Sequence, residues 1–215
     1  MVGKTYYSWI TKKLLKYRDG AGALLANGNN HGAVTLKMIW ESVRDKRPHV
    51  PWHRLVWGSF SIPKHSFIVW LGILDRLPTK DSLSKMGIDN DGKCLLCDSG
   101  NESRNHIFLE CPYSRGIWEV ILRSCIVHRT LLNWDDEILW ASETWKGKSL
   151  VVTILKIAWV VFIYVVWEER NWRCFRGTYR DNATVRDTVQ LLVRNRLQGI
   201  GINVSDPVNI HICSV

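Results

Sequence analysis

Most sequence signatures of catalysis are missing from this chain of 215 residues. No G-x-x-x-x-G-K-[ST] loop is present to cradle phosphates, and no G-x-S-x-G elbow is present to expose a serine nucleophile. His31, His49, His53, His65, His128 and His211 have no evident nucleophile beside them. Asp135-Asp136-Glu137 is the one dense carboxylate run, but three successive residues diverge around a helix and cannot easily share one metal. A solvated helix start suits them better, because acids are favoured at helix N-termini. No alternating apolar pattern exceeds three or four residues, so sheets are not expected. The first apolar stretch is broken by Lys12 and Lys13, unlike a secretory leader, and a reducing compartment is expected.

Acidic residues are also scarce, with 20 Asp and Glu against 29 Lys and Arg, a net charge of +9. The excess is uneven. Residues 1 to 85 carry +9, residues 86 to 145 carry −5 and residues 146 to 215 carry +5. Basic flanks around an acidic middle point to an anionic partner, either nucleic acid or a membrane surface. Residues 1 to 18 hold five basic residues and no acid. A basic surface helix is expected there, with an organelle-targeting helix as the alternative.

Apolar spacing gives a helical chain. Tyr6, Ile10, Leu14 and Tyr17 recur at helical intervals, and a glycine- and asparagine-rich linker from Gly20 to Gly32 comes next. Thr35 is placed to cap a helix with Leu36, Ile39, Trp40 and Val43 on one face. A short helix is expected from Trp52 to Trp57, an apolar one from His65 to Arg76, and a Thr79-capped one through Leu83 that closes at Gly87. Further helices are expected around Ile117 to Leu122 and from Asp135 to Ser142. The last should run from near Asn182 to Gly199, with Val185, Val189, Leu192 and Val193 inward and Arg186, Arg194 and Arg196 outward. The stretch Leu150 to Trp167 is almost wholly apolar. It reads as a buried helix, with a membrane span as the weaker alternative because Lys156 interrupts it. The expected fold class is all-α. Three regions are expected: a basic helix and linker at 1–34, a central domain at 35–124 and a C-terminal helical region at 125–215.

The informative cysteines are Cys94 and Cys97, followed by His106 and Cys111 in the pattern C-x2-C-x8-H-x4-C. Two thiolates two residues apart can grip one ion from a tight turn, and a histidine and a cysteine five apart can add two ligands from a helical turn and its end. Such a set suits zinc rather than magnesium or calcium, which seek oxygen. Four protein ligands leave no open position for activated water, so the expected zinc is structural. Cys125, Cys174 and Cys213 are expected to be small buried residues.

With these ligands in place, the chain resembles the zinc-binding domain found downstream of reverse transcriptase in plant LINE-type non-LTR retrotransposons. The resemblance covers roughly residues 35 to 120. It rests on Trp57, Pro63-Lys64, Phe67, Trp70, Arg76-Leu77-Pro78-Thr79-Lys80, Leu83, the four ligands, Glu102-Ser103, Ile107-Phe108, Pro112 and Trp118. Ser8 to Asp19 looks like the segment joining the polymerase to this domain, and Trp167 to Asn171 with Phe175 is similar to the stretch that often comes after it. The connection before the zinc segment is shorter than in the family, and no polymerase, endonuclease or RNase H carboxylate set is present, so reverse transcription does not carry over. The resemblance implies a detached, non-enzymatic module.

The expected partner is RNA or single-stranded nucleic acid on the basic flanks, held by Lys64, His65, Arg76, Lys80 and Lys85 on one side and Arg170, Arg173 and Arg176 on the other. Trp52, Trp57 or Trp172 could stack on unpaired bases. About two-thirds of the twelve tryptophans are nevertheless expected in the core. Exposed tryptophans meeting a protein partner form the alternative, and the nucleus is the expected location by analogy, with the cytoplasm second.

Overall fold

The structure is a computed structural model that describes Arg18, Glu41 and residues 49–58, 60–147 and 149–202. The expected helices at Tyr6–Tyr17 and after Thr35, and the linker between them, lie outside the described residues. Chain contacts divide the molecule into Met1–His49 and Val50–Val215, and the second unit holds all of the helices from His53 onward.

Among the described residues this second unit is all-α. Its elements are α1 (His53–Val56), α2 (Pro63–Ile73), α3 (Lys80–Lys85), a π turn (His106–Glu110), α4 (Pro112–Ser124), α5 (Trp134–Thr144), α6 (Leu150–Arg176) and α7 (Asn182–Gly199). Start signals in the sequence account for most boundaries. Pro63 and Pro112 occupy the first turns of α2 and α4, where a missing N–H costs nothing. Asn133, Ser149 and Asp181 cap α5, α6 and α7 by accepting from the N–H three residues on. Gly87 turns with φ +81°, closing the α3 segment in the left-handed region.

The apolar stretch that raised a membrane span is the axis of the fold. α6 is long and apolar enough to cross a bilayer, yet its apolar window is mostly buried inside the protein. It packs most extensively against α7 and α2, with α4, the π turn and α1 adding smaller contacts. The helix runs nine residues past Trp167, because Glu168 to Arg176 continue its buried face through Glu169 and Arg170 and Gly177 halts it at φ +61°. α7 lays a stripe of Val185, Val189, Val193 and Leu197 onto it, all fully buried. Each such side chain contributes roughly 1.5 kcal/mol or more when removed from water. The stripe adds Leu197 to the expected face, while Leu192 is only half-buried.

Aromatic rings fill the centre. Trp118 of α4 stacks on Phe162 at 5.1 Å between ring centroids and meets Trp159 edge-on at 5.1 Å. Trp134 joins Phe108 at 5.1 Å, and Trp145 leans on Trp118 at 6.3 Å. Of the ten described tryptophans, Trp57 alone is exposed, at 39%. Their count therefore reflects core packing. Residues on both sides of position 124 share this core, since α4 packs on both α6 and α7.

Candidate metal centre

Cys94 sits where the chain turns back on itself. Its N–H donates to the Gly100 carbonyl at 2.7 Å, its carbonyl accepts from Asp98 N–H at 2.9 Å, and Lys93 bridges Asn101 just before it. Leu96 N–H points at Cys94 Sγ at 3.4 Å, and the Ser99 hydroxyl donates to Cys97 Sγ at 3.3 Å. Backbone and hydroxyl donors thus already face sulfur, as thiolate ligands require.

The other two ligands come from the π turn. In a regular α-helix, residues five apart stand about 140° apart around the axis. Here Cys111 N–H donates to the His106 carbonyl at 2.7 Å, an i to i+5 bond. The wider turn brings the two side chains back to one side. Pro112 then starts α4, and the Ser114 hydroxyl ties this helix to the turn by donating to the Ile107 carbonyl.

The four donor atoms lie within 4.8 Å of one another. Cys94 Sγ and Cys111 Sγ are 4.0 Å apart, and Cys97 Sγ lies 3.3 Å from His106 Nε2. A tetrahedron with zinc–sulfur bonds of about 2.3 Å and zinc–nitrogen bonds of about 2.0 Å has edges of about 3.8 and 3.5 Å. The donors fit that figure in type, number and spacing. Gly100 completes the cradle, because a Cβ there would stand 2.5 Å from His106 Cε1. With metal-free thiols, the hydrogen bond from Cys94 holds Cys111 below the usual thiol range and pushes Cys94 above it. Zinc held here would supply a closed structural crosslink between the Cys94 turn and the start of α4.

Buried charges join this centre to the long helix. The Glu102 carboxylate, fully buried, accepts from Arg170 Nη2 at 2.6 Å, from Arg170 Nε at 3.1 Å and from Lys80 N–H at 2.9 Å. Arg173 Nη1 donates to the carbonyls of Leu95 and Leu96 at 3.2 and 3.0 Å, gripping the residues between the two cysteines. Arg173 Nε also pairs with Glu169 at 2.7 Å, and Glu169 accepts from Arg180 as well. Burial alone would raise the Glu169 carboxyl, but the bonds from Arg180 and Arg173 prevail and hold it below its ordinary range.

These contacts redistribute the residues expected on nucleic acid. Arg170 and Arg173 are structural: Arg170 is 3% exposed and has no face for phosphate. Lys80 is largely buried and pairs with Asp91 at 2.7 Å, and exposed Lys85 pairs with Asp81 at 3.2 Å. His65 is buried on Tyr164 at 4.0 Å between rings, and burial, aided by Lys64, pushes its pKa down to about 4. Arg76 is exposed. Lys64 and Arg176 are brought together, lining one shallow groove with Tyr164, Trp172 and Phe175. Trp172 is half-buried, and Phe175 is 78% exposed.

Two further expectations change. Asp135 and Asp136 are solvated at the start of α5, but Glu137 is fully buried, taking 2.7 and 2.8 Å bonds from Arg129. Among the three remaining cysteines Cys125 is buried, Cys174 is exposed and Cys213 lies outside the described residues. The residues that sequence reasoning missed are Glu102 and Glu169 as anchors. Glu169 carried a local signal, standing next to Arg170 and four residues before Arg173, whereas Glu102 has no arginine next to it or four residues away and was marked in the sequence only by the family resemblance.

A closed set of three sulfurs and one imidazole nitrogen on a helical scaffold defines a zinc-stapled module. Residues 35–118, less than half of the chain, match the family model described as zinc-binding in reverse transcriptase. That segment is a reverse-transcriptase-type zinc-binding domain, with Cys94, Cys97, His106 and Cys111 as its zinc site. No curated protein and no solved structure matches the chain.

Proposed function

We propose that the chain is a non-catalytic module, derived from a retrotransposon, that binds RNA or single-stranded nucleic acid through the groove between α2 and the end of α6. The observation that carries this reading is the meeting of Lys64, Trp172, Phe175 and Arg176 in that groove. Cations there can neutralise phosphates, and an exposed ring can take an unpaired base by stacking. Arg176 already lies over the Trp172 ring at 5.4 Å, holding a cation beside an aromatic face. The zinc site supports the scaffold: three thiolates and one dication leave a net negative unit, which suits it poorly for gripping phosphate. Nuclear residence belongs to the same reading.

Fluorescence anisotropy with labelled single-stranded RNA across a salt series tests it. Each phosphate contact on a single strand contributes about −0.7 to the slope of log K against log salt. Lys64→Ala with Arg176→Ala should therefore flatten the slope by about 1.4. Phe175→Ala should cost about 1–3 kcal/mol at constant slope if the ring stacks on a base. Absence of RNA binding, or a slope unmoved by the double variant, rejects the groove. Exposed Phe67, Phe175 and Tyr179 favour a protein partner as the second reading. Salt-insensitive association with a protein would support it.

A further inference from the structure

A second concavity, sharing no lining residue with the groove, opens where α1 faces the end of α5 and the first half of α6. Its volume of about 690 Å³ is that of a small-molecule site. Leu55, Trp145, Ile157 and Val160 supply apolar walls, yet Arg54, Lys146 and Lys156 also line it and, among the described residues, no acid does. None of these three cations has an ion pair among the described residues.

Lys156 is the anomaly that the sequence raised, a charge inside the most apolar stretch of the chain. It is half-buried, and its pKa is lowered by burial and by the nearby Arg54. Ser142, on the cavity wall, has a buried hydroxyl with no hydrogen-bond partner among the described residues. Uncompensated cations beside aromatic walls together describe a receptor for negative charge attached to apolar surface.

We propose that this cavity binds a small organic anion with an apolar body, its charged end held by Lys156, Arg54 and Lys146 and its body laid against Trp145 and Val160. The apolar part supplies burial and the cations supply selection by sign.

Isothermal titration calorimetry on the full zinc-loaded chain tests the site, using 2-naphthoate, 2-naphthyl phosphate, 2-naphthylmethanol and 2-naphthylmethylammonium. At least one of the two anions should bind saturably at one per chain and at least tenfold more tightly than the alcohol, with the ammonium weakest. The comparison of carboxylate with phosphate assigns the headgroup. Lys156→Met, which keeps the apolar stem, should weaken the anion at least tenfold and leave the alcohol unchanged. Lys146→Gln, at an exposed position, carries the same test should the buried variant not fold, as judged by zinc content and circular dichroism. Equal binding of all four probes, no saturable binding, or full anion affinity in both variants overturns the proposal.

Discussion

Replacing Arg170 by methionine isolates the contact that joins the zinc segment to the long helix. The guanidinium is 3% exposed and the Glu102 carboxylate is fully buried, so Arg170→Met strands an anion that keeps only the Lys80 N–H of its present partners. Removing one member of such a pair costs about 3–5 kcal/mol, because the survivor stays desolvated. In a unit of this size each kcal/mol moves the melting temperature by about 2–4 °C, so a fall of roughly 6–20 °C is expected. Thermal unfolding followed by circular dichroism, with zinc in excess, reads it directly. The double variant Glu102→Gln, Arg170→Met removes both charges and keeps an acceptor for Lys80 N–H, so most of the loss should return. A single-variant shift below about 2 °C would refute the reasoning. So would loss of RNA binding with unchanged stability, which would return Arg170 to the surface role that its charge first suggested.

Chelation of zinc should unfold the Cys94–Cys111 segment and expose the Trp118 cluster, seen as a red shift in tryptophan emission that added zinc reverses; unchanged emission would show that the crosslink is dispensable. Gly100→Ala should lower zinc affinity about 10- to 100-fold in a competitive chelator titration, because its Cβ would stand 2.5 Å from a ring atom of His106. An unaltered affinity would mean that the ring has room to retreat. His65 contributes to pH dependence in a definite direction. Its folded pKa of about 4 lies below the ordinary histidine value of 6.5, so the unfolded chain binds the extra proton between these values and stability falls as pH drops through that window. At pH 5.5 this loss is about 1.4 kcal/mol. His65→Phe, which can keep the stack on Tyr164 but cannot titrate, should lose that much less than wild type between pH 7.5 and 5.5. Parallel stability curves would exclude the effect.

The metal centre was legible because its information is local. Ligand chemistry is carried by residue type and spacing within eighteen positions, Cys94 to Cys111, and the turn geometry only had to bring them together. Helix starts at Asn133, Ser149 and Asp181 were written in the same short-range code of a cap before an apolar period. What stayed hidden was the sorting of like residues between inside and outside. α2 turns His65, Ser66, Val69 and Gly72 inward, with His65 stacked on Tyr164 of the long helix, and leaves Phe67 half-exposed against Trp70. Periodicity on that helix could not show which face would find space.

The arginines make the same point about charge. Arg170, Arg173 and Arg176 stand three apart on one helix, all basic and all candidates for phosphate. Their neighbours in space separate them. Arg170 meets Glu102 and Arg173 meets Glu169 with the carbonyls of Leu95 and Leu96, whereas Arg176, the last residue of the helix, meets among the described residues the Trp172 ring. Glu102 lies 68 residues from Arg170, a separation that no local pattern spans. A basic excess therefore overstates the nucleic-acid surface wherever a long helix runs back over an acidic segment. In this protein the −5 of residues 86 to 145 is partly consumed inside the fold, while Lys64 and Arg176 line the groove and Arg54, Lys146 and Lys156 line the cavity.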